Sequence, residues 1–124
     1  MAHHIKHTKA TGRLFRIADV LQRELSTLVT RELRDPRLEF ITICEVNVSR
    51  DLAHAKVFVT FMDDSRIKER IAVLNHAAGF LRTLLAERVV LRTIPQLRFV
   101  YDESVAQGNR VASLIEAAIK KENS

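Results

Sequence analysis

The apolar residues of this chain change their spacing twice, and this pattern restricts what the chain can fold into. They recur every three or four residues over 13–33, at every second position over 38–62, and every three or four residues again over 67–85. The first spacing is typical of an amphipathic helix, and the second of a strand with one buried face. The sequence therefore predicts a helix, two strands and a second helical segment, in that order.

The strand pair needs one change of register to keep its apolar residues on a single face. Ile41 and Ile43 occupy odd positions, whereas Val46 and Val48 occupy even ones. An extra residue at positions 44–45 would bring both pairs to the same face, so we predict a β-bulge there. A polar turn then leads to a second alternating strand, and the two strands should form an antiparallel hairpin.

The second helical segment contains a glycine, although its apolar stripe continues on both sides. Glycine in a helix interior costs about 0.5–1 kcal/mol relative to alanine, and the chain has only three glycines. Because the stripe continues through Gly79, a kinked helix fits the pattern better than a loop. The polar residues 63–65 precede this segment and are expected to cap its first turn.

Two prolines mark the ends of elements. The Asp35-Pro36 pair ends the first helix, because the residue before a proline avoids helical angles. Pro95 ends the kinked segment, and the string "QLRFVYD", residues 96–102, is typical of a third strand. Helical spacing returns after Ser104 and predicts a last helix. The predicted fold class is α+β, with helices on one face of a small mixed three-stranded sheet.

Composition narrows the class of partner and the compartment. The 124 residues suffice for one domain with a buried core. A net charge of +5 favours a polyanionic partner such as RNA, although proteins without such a partner can carry a similar excess. The single cysteine, Cys44, excludes an internal disulfide. Without a signal peptide or a membrane-spanning apolar stretch, we expect a cytoplasmic protein with no membrane partner.

One strip of the kinked helix, here called the kink strip, carries small or modest side chains beside the apolar face. Two interpretations are open: a docking groove for a phosphate backbone, lined by amides at the bend, or close packing against another element. Lys68 and Arg82 flank the strip and would suit the first interpretation. The kink strip consists of Ala72, His76, Gly79, Thr83 and Ala86.

The cations form three groups that could contact phosphates, although each residue taken singly is also explained as a solvated surface charge. Residues 1–12 are expected to be a flexible basic arm. In order of preference, the candidate RNA-binding residues are Ala77, Ala78 and Gly79 with Arg82, Arg88, Arg92 and Arg98; then Arg34, Arg37 and Arg50; then Lys6, Lys9 and Arg13. Most aromatic residues fall on predicted core positions, with Phe58 as the exception, so base stacking has little support.

No motif of a known catalytic chemistry is present. The sequence lacks HExxH, GxSxG and a phosphate-binding glycine loop. The histidines of the arm resemble a metal cluster in composition only, because neither a supporting carboxylate nor a second shell of hydrogen-bond partners accompanies them. We therefore predict no enzymatic activity, no metal and no cofactor. A small metal-dependent hydrolase stays as a third hypothesis, which retention of a metal after removal of the arm would support.

Three strings resemble the signature stretches of the bacterial ribosome-binding factor A family. They are "RELRDPRL", "VNVSRDLAHAKVFVTFMDD" and "AAGFLRTLLAERVVLRTIPQLRFVYDES". The last string includes the Ala-x-Gly kink of the family, here Ala77-Ala78-Gly79. The resemblance extends over residues 13–119 and leaves the arm and the end of the tail uncovered.

The resemblance implies a type II KH domain over residues 13–103, with a C-terminal helix and tail over 104–124. The kink stands in place of the GxxG loop that clamps nucleic acid in ordinary KH domains. It also implies a non-enzymatic assembly factor that binds the immature small (30S) ribosomal subunit and its 16S rRNA. Such a factor promotes late maturation and 5′ end processing of that RNA and supports growth in the cold.

Two expectations about partners complete the prediction. The resemblance implies assembly GTPases as functional partners, and no long exposed apolar stripe requires a dimer, so we expect a monomer. The alternative that the residues leave open is a basic protein-interaction module that docks a partner helix on the kink strip.

Overall fold

The computed structural model describes the backbone of residues 9–104 and the side chains of residues 12–104. The predicted last helix and the first eight residues of the predicted arm lie outside this range. The elements are α1 (Lys9–Leu28), continued by a π-helical turn (Val29–Leu33) and a short 3-10 turn (Pro36–Leu38), then β1 (Ile41–Val48), β2 (His54–Phe61), α2 (Ile67–His76), α3 (Ala78–Arg88) and β3 (Gln96–Tyr101).

The first helix begins four residues earlier than predicted, at Lys9 rather than Arg13. Its predicted end at Leu33 is reached through the π-helical turn, after which Arg34 adopts left-handed angles (φ 42°, ψ 39°). The Asp35 carboxylate then accepts a hydrogen bond from the Arg37 amide at 2.9 Å, which turns the chain towards β1.

The three strands form one sheet in the order β1-β2-β3, antiparallel between β1 and β2 and parallel between β2 and β3. The register shifts between Ile43 and Glu45, which confirms the predicted bulge. In the hairpin turn, the Asp51 carboxylate accepts hydrogen bonds from the Ser49 hydroxyl (2.6 Å) and the Ala53 amide (3.0 Å). This order of helices and strands is that of a type II KH-like fold, as predicted.

The helices cover one face of the sheet, and the core lies between the two layers. Leu21 and Leu25 of α1 and Leu81 and Leu85 of α3 are fully buried, as their helical spacing predicted. Burial of each such leucine stabilises the fold by about 1.5–3 kcal/mol. The core also contains inward residues of every strand: Ile43, Val46, Ala55, Val57, Val59, Phe61, Leu97 and Phe99.

Two amide side chains hydrogen-bond the helices to the sheet, one at the bulge of β1 and one at the edge strand β3. Gln22 donates from Nε2 to the carbonyls of Ile43 (3.0 Å) and Cys44 (3.3 Å), the backbone of the bulge. Asn75 pairs with both backbone groups of Phe99 on β3, donating at 2.9 Å and accepting at 2.8 Å. Asn75 thereby satisfies an edge strand that would otherwise leave these groups unpaired.

The helical segment is interrupted as predicted, but the break lies at Ala77 rather than at Gly79. Ala77 (φ −87°, ψ 0°) separates α2 from α3. Its amide is shared between the carbonyls of Val73 and Leu74, both at 3.1 Å. Gly79 lies in the first turn of α3 and has no positive φ. The bend therefore does not use the conformational freedom of glycine.

The predicted cap of this segment is wrong. The Asp63 carboxylate accepts a hydrogen bond from the Ser65 amide at 2.9 Å, closing the turn before α2 rather than its first helical turn. The residue at the N-cap of α2 is Arg66, which has left-handed angles and makes no capping hydrogen bond through its side chain.

The aromatic residues only partly follow the prediction. Phe61 and Phe99 are buried in the core as expected. The prediction is wrong for Phe40 and Phe80, because 70% and 51% of their surface is exposed. Phe40 lies in the connection before β1, and Phe80 lies on a part of α3 that faces away from the sheet. Phe58, on the outer sheet face, is half-buried.

Candidate nucleic-acid interface

The kink strip is a free surface within the described part of the chain. All five of its residues are exposed. Apart from its chain neighbours and the backbone of its own helix, no atom of the described residues lies within 4 Å of the position that a Cβ atom at Gly79 would occupy. The packing interpretation therefore has no partner among residues 9–104, and the strip remains open to a ligand.

The bend places an uncapped helix N-terminus in this strip. The first helical hydrogen bond of α3 runs from the Leu81 amide to the Ala77 carbonyl at 2.9 Å, and no side chain caps the helix. The amides of Ala78, Gly79 and Phe80 precede that bond. Such amides, together with the positive end of the helix dipole, attract anions. Of the predicted kink residues, Ala78 and Gly79 thus offer backbone amides rather than side-chain chemistry, whereas the Ala77 amide is already bonded to the carbonyls of Val73 and Leu74.

Two cations flank the kink strip as the sequence predicted, but they differ in freedom. Lys68 is exposed one helical turn before Ala72. Arg82 is half-buried, and its Nε donates to the carbonyl of Ile94 at 2.9 Å. This bond ties α3 to the loop before β3, so Arg82 contributes to the fold as well as to the local positive charge.

A second candidate surface, here called the α1–α3 cleft, was not predicted as a unit. It is a depression of about 540 Å³ between α1 and the end of α3. Three arginines and one glutamate line it together with aliphatic residues. Arg88 donates from Nε to the Glu24 carboxylate, which leaves Arg13 and Arg16 without a carboxylate partner among the lining residues. The lining is Arg13, Arg16, Ile17, Val20, Glu24, Arg88, Val89, Val90 and Leu91.

The remaining residues of the first predicted group do not share one surface. Arg92 is exposed in the loop before β3. Arg98 alternates with the buried residues of β3 and therefore lies on the sheet face opposite the helices. There it is paired in register with Lys56 of β2. Arg82 and Arg88 lie on α3 instead, so the four arginines are divided between two faces of the domain.

The second predicted group is also dispersed. Arg37 donates to Asp35 at 2.8 Å and to Glu69 at 3.4 Å. The hydrogen bond from Arg37 holds the pKa of the Asp35 carboxyl below its usual value, and the same partners raise the pKa of the Arg37 guanidinium. Two carboxylates therefore satisfy Arg37. Arg34 and Arg50 are exposed at separate turns.

Only part of the third predicted group lies within the described residues. Arg13 is exposed and joins the α1–α3 cleft. Lys9 is the first residue of α1, and Lys6 lies outside the described residues. Sequence reasoning missed Arg16 and Glu24 as members of one site with Arg88, because 64 positions separate Glu24 from Arg88 along the chain.

Three further features bear on function. Over residues 9–104, no group of three or more His, Cys, Asp or Glu side chains is placed to hold a metal ion. The Cys44 thiol is half-buried beside Thr60, and burial raises its pKa, which disfavours the reactive thiolate. In the same part of the chain, no helix combines the length and apolarity that a membrane span requires.

The fold and these surfaces define a KH-like α+β domain with exposed cations on its helical side. The family model described as ribosome-binding factor A matches residues 13–115, and the chain therefore belongs to the ribosome-binding factor A family. A relative with that name from Stutzerimonas stutzeri is 50% identical over 118 residues, covering 92% of each chain. The recognition made from the three sequence strings is confirmed.

Solved structures agree with this assignment. The crystal structure of ribosome-binding factor A from Thermus thermophilus superposes with a TM-score of 0.64 at 29% identity, covering 69% of this chain and 92% of that one. A homology model of the Thermus thermophilus protein, fitted into a cryo-EM map of a 30S–RbfA complex, gives a TM-score of 0.60 at 29% identity, covering 69% and 91%.

Proposed function

We propose that this protein is a non-enzymatic factor that binds the immature small (30S) ribosomal subunit through its 16S rRNA. Membership of the ribosome-binding factor A family carries the proposal, and the fitted 30S–RbfA complex of a structural neighbour supports it. The proposed division of the chain is an arm over 1–12, the RNA-binding domain over 13–103, and a C-terminal helix and tail over 104–124.

The finer role follows the family resemblance. The protein acts in the cytoplasm as a monomer, promotes late maturation and 5′ end processing of 16S rRNA, supports growth in the cold and works beside assembly GTPases. It requires no cofactor. Maturation is driven by a difference in affinity between immature and mature subunits, because a ligand shifts an equilibrium only by its differential affinity for the two states.

The proposed RNA contacts the protein at two places. A phosphate lies against the amides of Ala78, Gly79 and Phe80 at the start of α3. A second stretch of the RNA backbone passes the α1–α3 cleft, where Arg13 and Arg16 neutralise phosphates. Held at both places, the RNA spans α3 from its first turn to its last.

The alternative function is a protein-interaction module in which a partner helix docks on the kink strip. The exposure of all five strip residues supports it as well, because small side chains allow two helices to approach closely. The two functions differ in salt dependence, since phosphate contacts release counterions and helix packing does not.

Co-sedimentation with purified immature and mature small subunits across a salt series separates the two functions. The proposal expects binding that weakens steeply with salt and that favours the immature subunit. Binding that is indifferent to salt and survives nuclease treatment of the subunits would establish the helix-docking module instead. Absence of binding to either subunit at low salt would refute the proposal.

A further inference from the structure

Phe40 is an aromatic residue that the fold itself does not require at its position. It connects the 3-10 turn to β1 and adopts left-handed angles (φ 55°), which bulky residues rarely do. Seventy per cent of its surface is exposed. Glycine or asparagine would suit this backbone better. Strained residues of this kind concentrate at functional sites.

The neighbouring contacts explain why the ring points outwards. Leu38 is buried in the core, and its amide donates to the Asp35 carbonyl at 2.9 Å. Ile41 begins β1 and packs against the core. The chain must therefore turn between these two inward residues, and Phe40 lies on the outside of the turn. This geometry accounts for the left-handed backbone but not for a phenylalanine.

The ring belongs to a larger exposed surface. The Met62 amide donates to the Phe40 carbonyl at 3.3 Å, and 81% of Met62 is exposed. Phe40 and the exposed Arg34 line one depression of about 560 Å³. Asp35 and Glu39 line it too: the Asp35 carboxylate is paired with Arg37, and the charge of Glu39 offsets that of Arg34. The surface thus combines an open aromatic face with little net charge.

We propose that Phe40 is a stacking platform for one unpaired base of the bound RNA, with Arg34 beside it contacting the adjoining phosphate or stacking on the base. Aromatic faces hold single-stranded bases without sequence preference. This inference rests on the proposed function and adds a contact beyond the C-terminal end of α1, away from the α1–α3 cleft. The sequence alone assigned Phe40 to the core.

Three substitutions of Phe40 test the platform, using binding to immature small subunits as the readout. Phe40→Leu keeps an apolar side chain and removes the π face, Phe40→Asn suits the left-handed backbone, and Phe40→Trp enlarges the ring. Stacking on one base predicts a loss of roughly five- to 150-fold for the first two, while Phe40→Trp binds at least as well as the parent protein.

Two controls identify the cause of any loss. Thermal unfolding of each variant should show that Phe40→Asn melts no lower than the parent, because asparagine tolerates these backbone angles. The slope of binding against salt should stay unchanged in all three variants, since no phosphate contact is removed. Ultraviolet crosslinking followed by mass spectrometry should join Phe40 to a nucleotide in the parent complex.

The outcomes separate this inference from the proposed function. If Phe40→Leu binds like the parent while Phe40→Asn does not, the surface is an apolar protein contact and stacking is refuted. If all three variants bind equally well, Phe40 has no role in binding, although the factor still binds the ribosome. If the parent protein itself fails to bind, the proposed function has failed first.

Discussion

The kink strip and the α1–α3 cleft lie in the same helical layer but offer a ligand different chemistry. The strip is lined by small residues, and its donors are the backbone amides at the start of α3. The cleft is lined by aliphatic residues, three arginines and one glutamate. One site depends on a bend of the backbone, and the other on side chains brought together by packing. Helical spacing along the sequence located the first site, whereas the second is built from residues far apart in the sequence and was found only in the structure.

The largest expected effect comes from removing the support that both surfaces share. Leu85 lies on α3 between them and is fully buried. Leu85→Ala should lower the free energy of unfolding by about 2–5 kcal/mol, measured by urea denaturation. Near the melting temperature, the affinity of the variant for the subunit should fall, because both surfaces lose their support. A loss below about 1 kcal/mol would show that α3 is not packed as described.

Charge reversal in the cleft should have the next largest effect. Arg13→Glu combined with Arg16→Glu should weaken binding to immature subunits at least tenfold, because two phosphate contacts become repulsions (a rough figure). The slope of log affinity against log salt should fall by about two. A matched control is Arg31→Glu with Lys56→Glu, which changes the net charge equally at exposed positions outside both surfaces. Equal losses in the two pairs would mean that only overall charge matters.

Gly79→Ala should separate stability from binding at the kink strip. The site is helical and open, so alanine should raise the free energy of unfolding by about 0.5–1 kcal/mol. The added methyl group should nevertheless weaken subunit binding several-fold, if a phosphate approaches the amides closely. Ser26→Ala, a comparably small change at an exposed position of α1 outside both surfaces, is the control. A variant that is more stable and binds normally would remove Gly79 from the interface.

The smallest effect concerns the ion pair within the cleft. Glu24→Gln releases Arg88 from its carboxylate partner and increases the positive charge of the cleft by one. Binding should therefore tighten by a few-fold at low salt, while stability should change by no more than about 1 kcal/mol, as for other exposed ion pairs. Asp19→Asn, which breaks the exposed pair of Asp19 with Arg23 outside the cleft, should leave binding unchanged.

Much of the fold could be predicted from local spacing. The helical stripes placed Leu21 and Leu81 in the core, and the switch of parity after Ile43 located the bulge. These features depend on residues close together along the chain, so the spacing of apolar residues in the sequence predicts them. The strip around Gly79 was found in the same way, because a helix fixes which of its residues share a face.

The details of the site depended on contacts between distant segments. The bend lies at Ala77, two residues before the glycine that suggested it, and the local pattern did not show this. Arg37 was engaged by Glu69 of α2, and Arg98 was separated from Arg88 by the thickness of the domain.

The sequence by itself determined the order of the elements, the inward faces and the membership of a family. Only the tertiary structure decided which arginines meet and which are already paired, and it alone exposed Phe40. The physical reason is the range of the interactions. Spacing along the chain sets which side of an element a residue occupies, whereas the partner across from it is set by how whole elements pack.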